Sequence, residues 1–338
     1  MRAGHLLPKQ VKIIQTLRGL SALAVVIAHL WHGQKEIIIH PSLNYLSKAG
    51  AYGVHVFFII SGFILLYSLH KHQYSIKSYA RFIVKRLIRL EPAFILSILL
   101  VLFCASVLSP LLDVPFESLH RSPRDLLLHL LYLVPFVEGS YWAQGVYWTL
   151  AVEFQFYILI GLLAALFLKN SLSKYVKHLL LAVCMLASFI EVGNNAFLLP
   201  WMSFFGVGMA AFLKVTDEFN WIDFGVQMLL ACGINYFVFE NFNFLAILIL
   251  VPLLIIFLLD YEKMPFQILG KISYSLYLVH GSTGILMTRY CIQYFSMGSI
   301  GMQMLALLIG VFFSIFFAFL LYRIGEKPFV KLSKRIRL

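Results

Sequence analysis

Five short segments of this 338-residue chain carry ionisable or hydroxyl side chains at spacings that could do chemistry. Arg18 and His29 are eleven residues apart in TLRGLSALAVVIAHLWH. On a helix that is three turns plus about 20°, so the two share one face, about 16 to 17 Å apart along the axis. His55 lies in VHVFFIISGF, six residues before the Ser61-Gly62 pair. Arg86 and Arg89 in KRLIRLEP are three apart and also share a face. Two guanidiniums so placed can each offer a planar fork to phosphate oxygens. Glu153 in YWTLAVEFQFYIL has Tyr157 one turn further on. Ser273, Tyr277 and His280 recur at spacings of four and three in GKISYSLYLVH, which stripes one helix face. Each pattern has a plainer alternative: a snorkelling arginine with a backbone-bonded histidine, a small-residue helix contact at Ser61-Gly62, topological arginines, or a packed aromatic stripe.

What surrounds these residues decides how unusual they are. Hydrophobic residues make up 61% of the chain and charged residues 12%, with a mean hydropathy of +0.87. Globular domains carry about 25% charged residues, so a soluble protein is excluded and lipid is the solvent to expect. An ionisable group inside a span costs about 2.5 to 3.5 kcal/mol on insertion scales. Those present therefore need a reason. At about 20 apolar residues per span, the length predicts an all-α, polytopic transmembrane bundle of about ten spans. It reads as a single membrane-embedded domain over 1–338 with no separate soluble domain.

Apolar windows fall at about 13–32, 50–69, 88–108, 147–168, 176–192, 197–213, 221–239, 244–260, 270–289 and 301–322. Basic residues cluster at the N-terminus (Arg2, Lys9, Lys12), after the second window (Lys71 to Arg86), after the fourth (Lys169, Lys174, Lys177), after the eighth (Lys263, Lys271) and in the tail. The intervening loops are poorer: Lys35 and Lys48, then Arg121 and Arg124 offset by Asp113, Glu117, Asp125 and Glu138. The positive-inside rule then predicts both termini cytoplasmic. The net charge of +12 is mostly topology, and no nucleic-acid partner is expected. Arg18 interrupts the first apolar run, so the first helix is expected to be uncleaved. The longest non-cytoplasmic loop, about 109–146, contains DLLLHLLYLVPF (125–136), too short to span and expected to lie at the interface or re-enter. Four widely spaced cysteines fit neither a disulfide framework nor a zinc site.

In this topology His29, His55 and Glu153 fall at similar depths in the outer half, with Glu153 about 9 Å in from the outer surface. His280 falls near mid-membrane, and Arg86 and Arg89 sit at the cytoplasmic mouth of the third span. A buried carboxylate must be paired or protonated, so a contact between Glu153 and a histidine is expected.

Together these segments resemble the acyltransferase-3 family of integral-membrane acyltransferases, which modify bacterial surface glycans. Arg18 to His29 matches the family's Arg, ten residues, His signature, and Arg86 with Arg89 its RxxR signature. GVHVFFIISGF, YWTLAVEFQFYIL, ISYSLYLVH and Glu326-Lys327-Pro328 follow in family order. The resemblance implies an O-acyltransferase of the bacterial inner membrane that takes an acyl group, usually acetyl, from cytoplasmic acetyl-CoA to a lipid-linked or polymeric saccharide. It implies Arg18, Arg86 and Arg89 for the CoA phosphates and His29 as general base. Glu153 or Tyr157 would orient the base or the acceptor, with His55, Ser61 and His280 as further site candidates and no metal. Two readings compete. A proton-coupled transporter or flippase would also bury His and Glu, but no repeated halves are evident. His29 and His32 share a face, but two histidines do not make a metal site.

Overall fold

A computed structural model of the chain describes residues 8, 11–32, 48–114, 122–169, 171–295, 299–336 and 338. Arg2, Lys9, Lys35, Glu117 and Arg121 of the charge pattern lie outside them, as does the side chain of His32. Among the described residues the regular structure is all helical, with no strand. In chain order the helices are α1 (Lys12–His32), α2 (Gly53–Lys71), α3 (Tyr79–Phe103), α4 (Pro123–Leu130), α5 (Trp148–Phe167), α6 (Lys174–Leu186), α7 (Met202–Val215), α8 (Trp221–Phe239), α9 (Asn243–Phe257), α10 (Gln267–His280), α11 (Leu286–Tyr294), α12 (Ile300–Leu321) and α13 (Lys327–Ser333). Among the described residues six stretches are long and apolar enough to cross a membrane: Lys12–Trp31, Lys48–Lys71, Ile76–Leu111, Gly145–Phe167, Trp221–Phe239 and Ile300–Ser333. Two shorter apolar helices cover Leu199–Val215 and Asn243–Phe257.

The third span differs from its window, 88–108. Its helix starts at Tyr79, because Ile83, Leu87 and Leu90 pack on the core while Arg81 and Lys85 tolerate the boundary. Arg86 and Arg89 therefore lie about 10 to 15 Å past the helix start rather than at its mouth. The window 270–289 is also interrupted. α10 ends at His280, and Gly281–Ile285 form a π-helical turn before α11. The segment 125–136 is a short helix followed by a 3-10 turn at Val134–Phe136.

Small residues set the closest helix contacts. Gly62 of α2 lies against the Phe205 backbone of α7, and Gly208 of α7 against Ile59, so these antiparallel helices meet backbone to backbone. α1 and α10 run parallel and touch in the same way through Gly19 and Gly270. Lipid tails are as apolar as leucine, so close packing of this kind is what holds helices together in a membrane. α10 is polar for a span, yet Ile272 through His280 are all buried in protein. Its hydroxyls and imidazole thus face other helices, not lipid.

Candidate active site

α1, α2, α3, α5 and α10 surround one cavity of about 800 Å³, its open mouth included. Arg18, Arg86 and Arg89 line one part of it, Ser61, Glu153 and Tyr157 another, and Thr149 and Tyr277 a third. Phe57, Phe58, Ile64 and Leu150 supply apolar wall between these groups. The Nε atoms of Arg18 and Arg86 have no hydrogen-bond partner among the described residues. None of the three arginines makes an ion pair within 4.0 Å there. The Arg86 guanidinium lies 5.5 Å from the Tyr157 ring centre and 5.3 Å from that of Phe82, a cation on two aromatic faces. Three cations converging without carboxylate partners in contact form a site for an anion.

Glu153 accepts hydrogen bonds on one carboxylate oxygen from Tyr157 at 2.5 Å and from Ser61 at 3.1 Å. α5 brings Tyr157 there by the i, i+4 spacing, and Ser61 reaches it from α2, which packs against α5. His29 meets His280, with Nδ1 of His29 and Nε2 of His280 2.8 Å apart and the rings 5° from parallel, and the expected contact of Glu153 with a histidine is not among the hydrogen bonds and ion pairs of the described residues. His280 Nδ1 donates in turn to the backbone oxygen of Tyr277 at 2.8 Å. These contacts set the tautomers. A neutral imidazole carries one N–H, so His280, protonated at Nδ1, offers a lone pair at Nε2. His29 must donate from Nδ1, and its Nε2 carries the lone pair.

His29 and His280 do not line the arginine cavity, but Tyr277 adjoins both places. Its ring centre is 5.7 Å from that of His280 and 6.1 Å from that of Phe57. Its hydroxyl pairs with Thr149 at 2.9 Å and with Val146 O at 3.1 Å. His55 does not line the cavity. It sits among Tyr52, Trp201, Phe204 and Phe244, with ring centres 4.5 to 6.0 Å away, and its Nε2 is buried without a hydrogen-bond partner. Ser273 lines the cavity and bonds to Gly270 O.

The sequence reading placed only Glu153 deep within a span, and Glu326 entered it only as part of the Glu326-Lys327-Pro328 segment. Glu326 is 6% exposed and accepts from Ser275 Oγ at 2.7 Å. The π-helical turn Tyr322–Glu326 extends the last helix beyond its window, and Arg18 and Arg89 lie within electrostatic range. A glutamate immediately before Lys-Pro at a span's end was the available signal. Thr149 was also missed, because a lone threonine in an apolar run carries no pattern.

Among the described residues no group of three or more His, Cys, Asp or Glu could hold a metal ion. Residues 11–323 match the acyltransferase domain family, acyltransferase-3. The chain belongs to the acyltransferase-3 family. The match spans every residue that lines the cavity and both histidines of the pair, and Glu326 lies just beyond it. The chain is also 25% identical over 339 residues to O-acetyltransferase OatA of Staphylococcus aureus, in strains NCTC 8325 / PS 47 and COL alike. That alignment covers 82% of this chain and 51% of each relative, so the chain spans about half the length of the curated relatives it matches. No solved structure gives a significant match.

Proposed function

We propose that the protein is a membrane O-acyltransferase that moves an acyl group, acetyl by preference, from cytoplasmic acyl-CoA to a hydroxyl of a cell-surface or lipid-linked saccharide. The observation that carries this reading is the joining of two half-sites: an arginine-lined anion cavity and, across Tyr277, a histidine pair whose tautomers leave a basic nitrogen on His29. In this reading about ten helices cross a bacterial inner membrane, both termini are cytoplasmic, and the arginine end of the cavity opens to the cytoplasm. Arg18, Arg86 and Arg89 hold the phosphates of CoA, and the slender pantetheine arm follows the apolar wall toward Tyr277.

The acceptor hydroxyl is too weak an acid to ionise unaided, and a positioned base contributes about 10² to 10⁴ in rate. His29 Nε2 takes the hydroxyl proton as the oxygen attacks the thioester carbonyl. The tetrahedral intermediate collapses with cleavage of the carbon–sulfur bond, and the leaving thiolate takes the proton back from the imidazolium. Atoms balance as ester plus free CoA. His280 holds His29 in the working tautomer, and Glu153 with Tyr157 sets the shape and charge of the cavity beside Arg86. The name of the staphylococcal relative supports oxygen as the acceptor atom and acetyl as the acyl group.

The test is purified protein in proteoliposomes with acetyl-CoA and a lipid-linked saccharide. Release of free CoA together with an acetylated saccharide is expected, and His29→Ala should abolish both while retaining acetyl-CoA binding. Saccharide flux without CoA release identifies a transporter and overturns the proposal.

A further inference from the structure

The geometry assigns Gln144, in the loop between α4 and α5, as the positioning residue that holds the His280–His29 pair in its working tautomer; this rests on the reading of His29 as the base. The argument begins with one carbonyl. In an α-helix the Gly281 N–H would donate to Tyr277 O, four residues back. Here Tyr277 O accepts from His280 Nδ1 at 2.8 Å instead, and the chain turns π-helical from Gly281 onward. π-helical turns are rare and cluster at functional sites.

The displaced N–H needs another acceptor, because a buried amide without a partner is costly. The side chain of Gln144, with its amide oriented to satisfy both neighbours, accepts from Gly281 N at 3.0 Å and donates to Leu278 O at 3.2 Å. It therefore bridges the helix on both sides of His280. A methyl group on Gly281 would collide with the end of the Gln144 side-chain amide, so the glycine makes room for the contact. The adjoining residue is pinned as well: Ala143 N donates to the buried His129 Nε2 at 2.8 Å, and His129 Nδ1 bonds to Asp125 O at 2.6 Å. With Gln144 in place, Tyr277 O stays available to His280 Nδ1, and Nε2 keeps the lone pair that His29 requires. Without it, Gly281 N–H competes for Tyr277 O and the tautomer is released.

Gln144 lines no part of the arginine cavity. Gln144→Ala is therefore expected to lower kcat for acetyl transfer about tenfold, the size of one lost buried hydrogen bond, and to leave KM for acetyl-CoA unchanged. Amide hydrogen exchange should rise in 278–285 and not elsewhere, a readout that needs no substrate. Gln144→Glu adds a second test. Its carboxylate still accepts from Gly281 but cannot donate to Leu278 O, whereas its protonated form does both. The activity ratio of this variant to the wild type should rise at least threefold from pH 8 to pH 6. A kcat within twofold of wild type for Gln144→Ala, unchanged exchange in 278–285, or a pH-independent ratio overturns the assignment. If the wild-type protein transfers no acetyl group, the functional reading fails, and exchange at 278–285 decides the clamp by itself.

Discussion

Replacing His280 tests the tautomer argument most directly. His280 is fully buried and presents the lone pair to which His29 Nδ1 donates. His280→Leu keeps the volume and removes that acceptor. If the hydrogen bond favours the His29 tautomer with a basic Nε2 by about 1 to 3 kcal/mol, its loss lowers the reactive population by about 5- to 150-fold. Because His280 lies outside the arginine cavity, KM for acetyl-CoA should stay put while kcat falls. His280→Gln places a carbonyl acceptor on a side chain of similar reach and should recover part of the loss. The decisive measurement is the double-mutant cycle with His29→Ala, which by itself removes the base and about 10² to 10⁴ of rate. Groups that act as a unit are non-additive, so the double variant should be no slower than His29→Ala. Multiplicative effects, or His280→Leu within twofold of wild type, would refute the reasoning.

Other outcomes follow from neighbouring features. Arg86→Ala and Arg89→Ala should each raise KM for acetyl-CoA by about 10- to 100-fold with little change in kcat, since a hydrogen bond to a charged group is worth about 1.5 to 3 kcal/mol; steady-state kinetics at fixed salt checks this. Burial holds the His129 imidazole below its ordinary value near 6.5, against the opposing pull of Asp125. The unfolded loop thus binds the proton more readily than the folded one, and stability present above about pH 6.5 is lost as pH falls. Limited proteolysis should cut 122–147 faster at pH 5.5 than at pH 7.5, and His129→Gln should flatten the difference. Lys177 is fully buried and pairs with Glu218 at 2.9 Å, so Glu218→Ala should destabilise the α6–α8 region by on the order of 3 kcal/mol, read as a lowered melting temperature. Glu218→Gln should recover part of it.

Much of this was legible in the chain because a membrane protein has few places to put a charge. Composition pointed to lipid as the solvent, and the apolar windows located most of the helices, although the third begins nine residues before its window and the ninth window breaks after His280. Against that background Arg18, His29, Glu153 and His280 stood out by type alone. Spacing along one helix also paired Glu153 with Tyr157 and Arg86 with Arg89, since contacts at i, i+3 and i, i+4 are local.

Contacts between helices are a different matter, because they depend on crossing points that no single helix records. His29 and His280 are 251 residues apart and meet because Gly19 and Gly270 allow α1 and α10 to touch. The same holds for Ser61 with Glu153 and for Ser275 with Glu326. Gln144 had no visible pattern, since its role arises from a π-helical turn on another element. Residue types and solvent therefore determined which groups were exceptional and on which helices they lay. Only the packing of those helices decided which exceptional groups are partners, because in lipid that packing is set by small residues at the crossings and not by hydrophobicity.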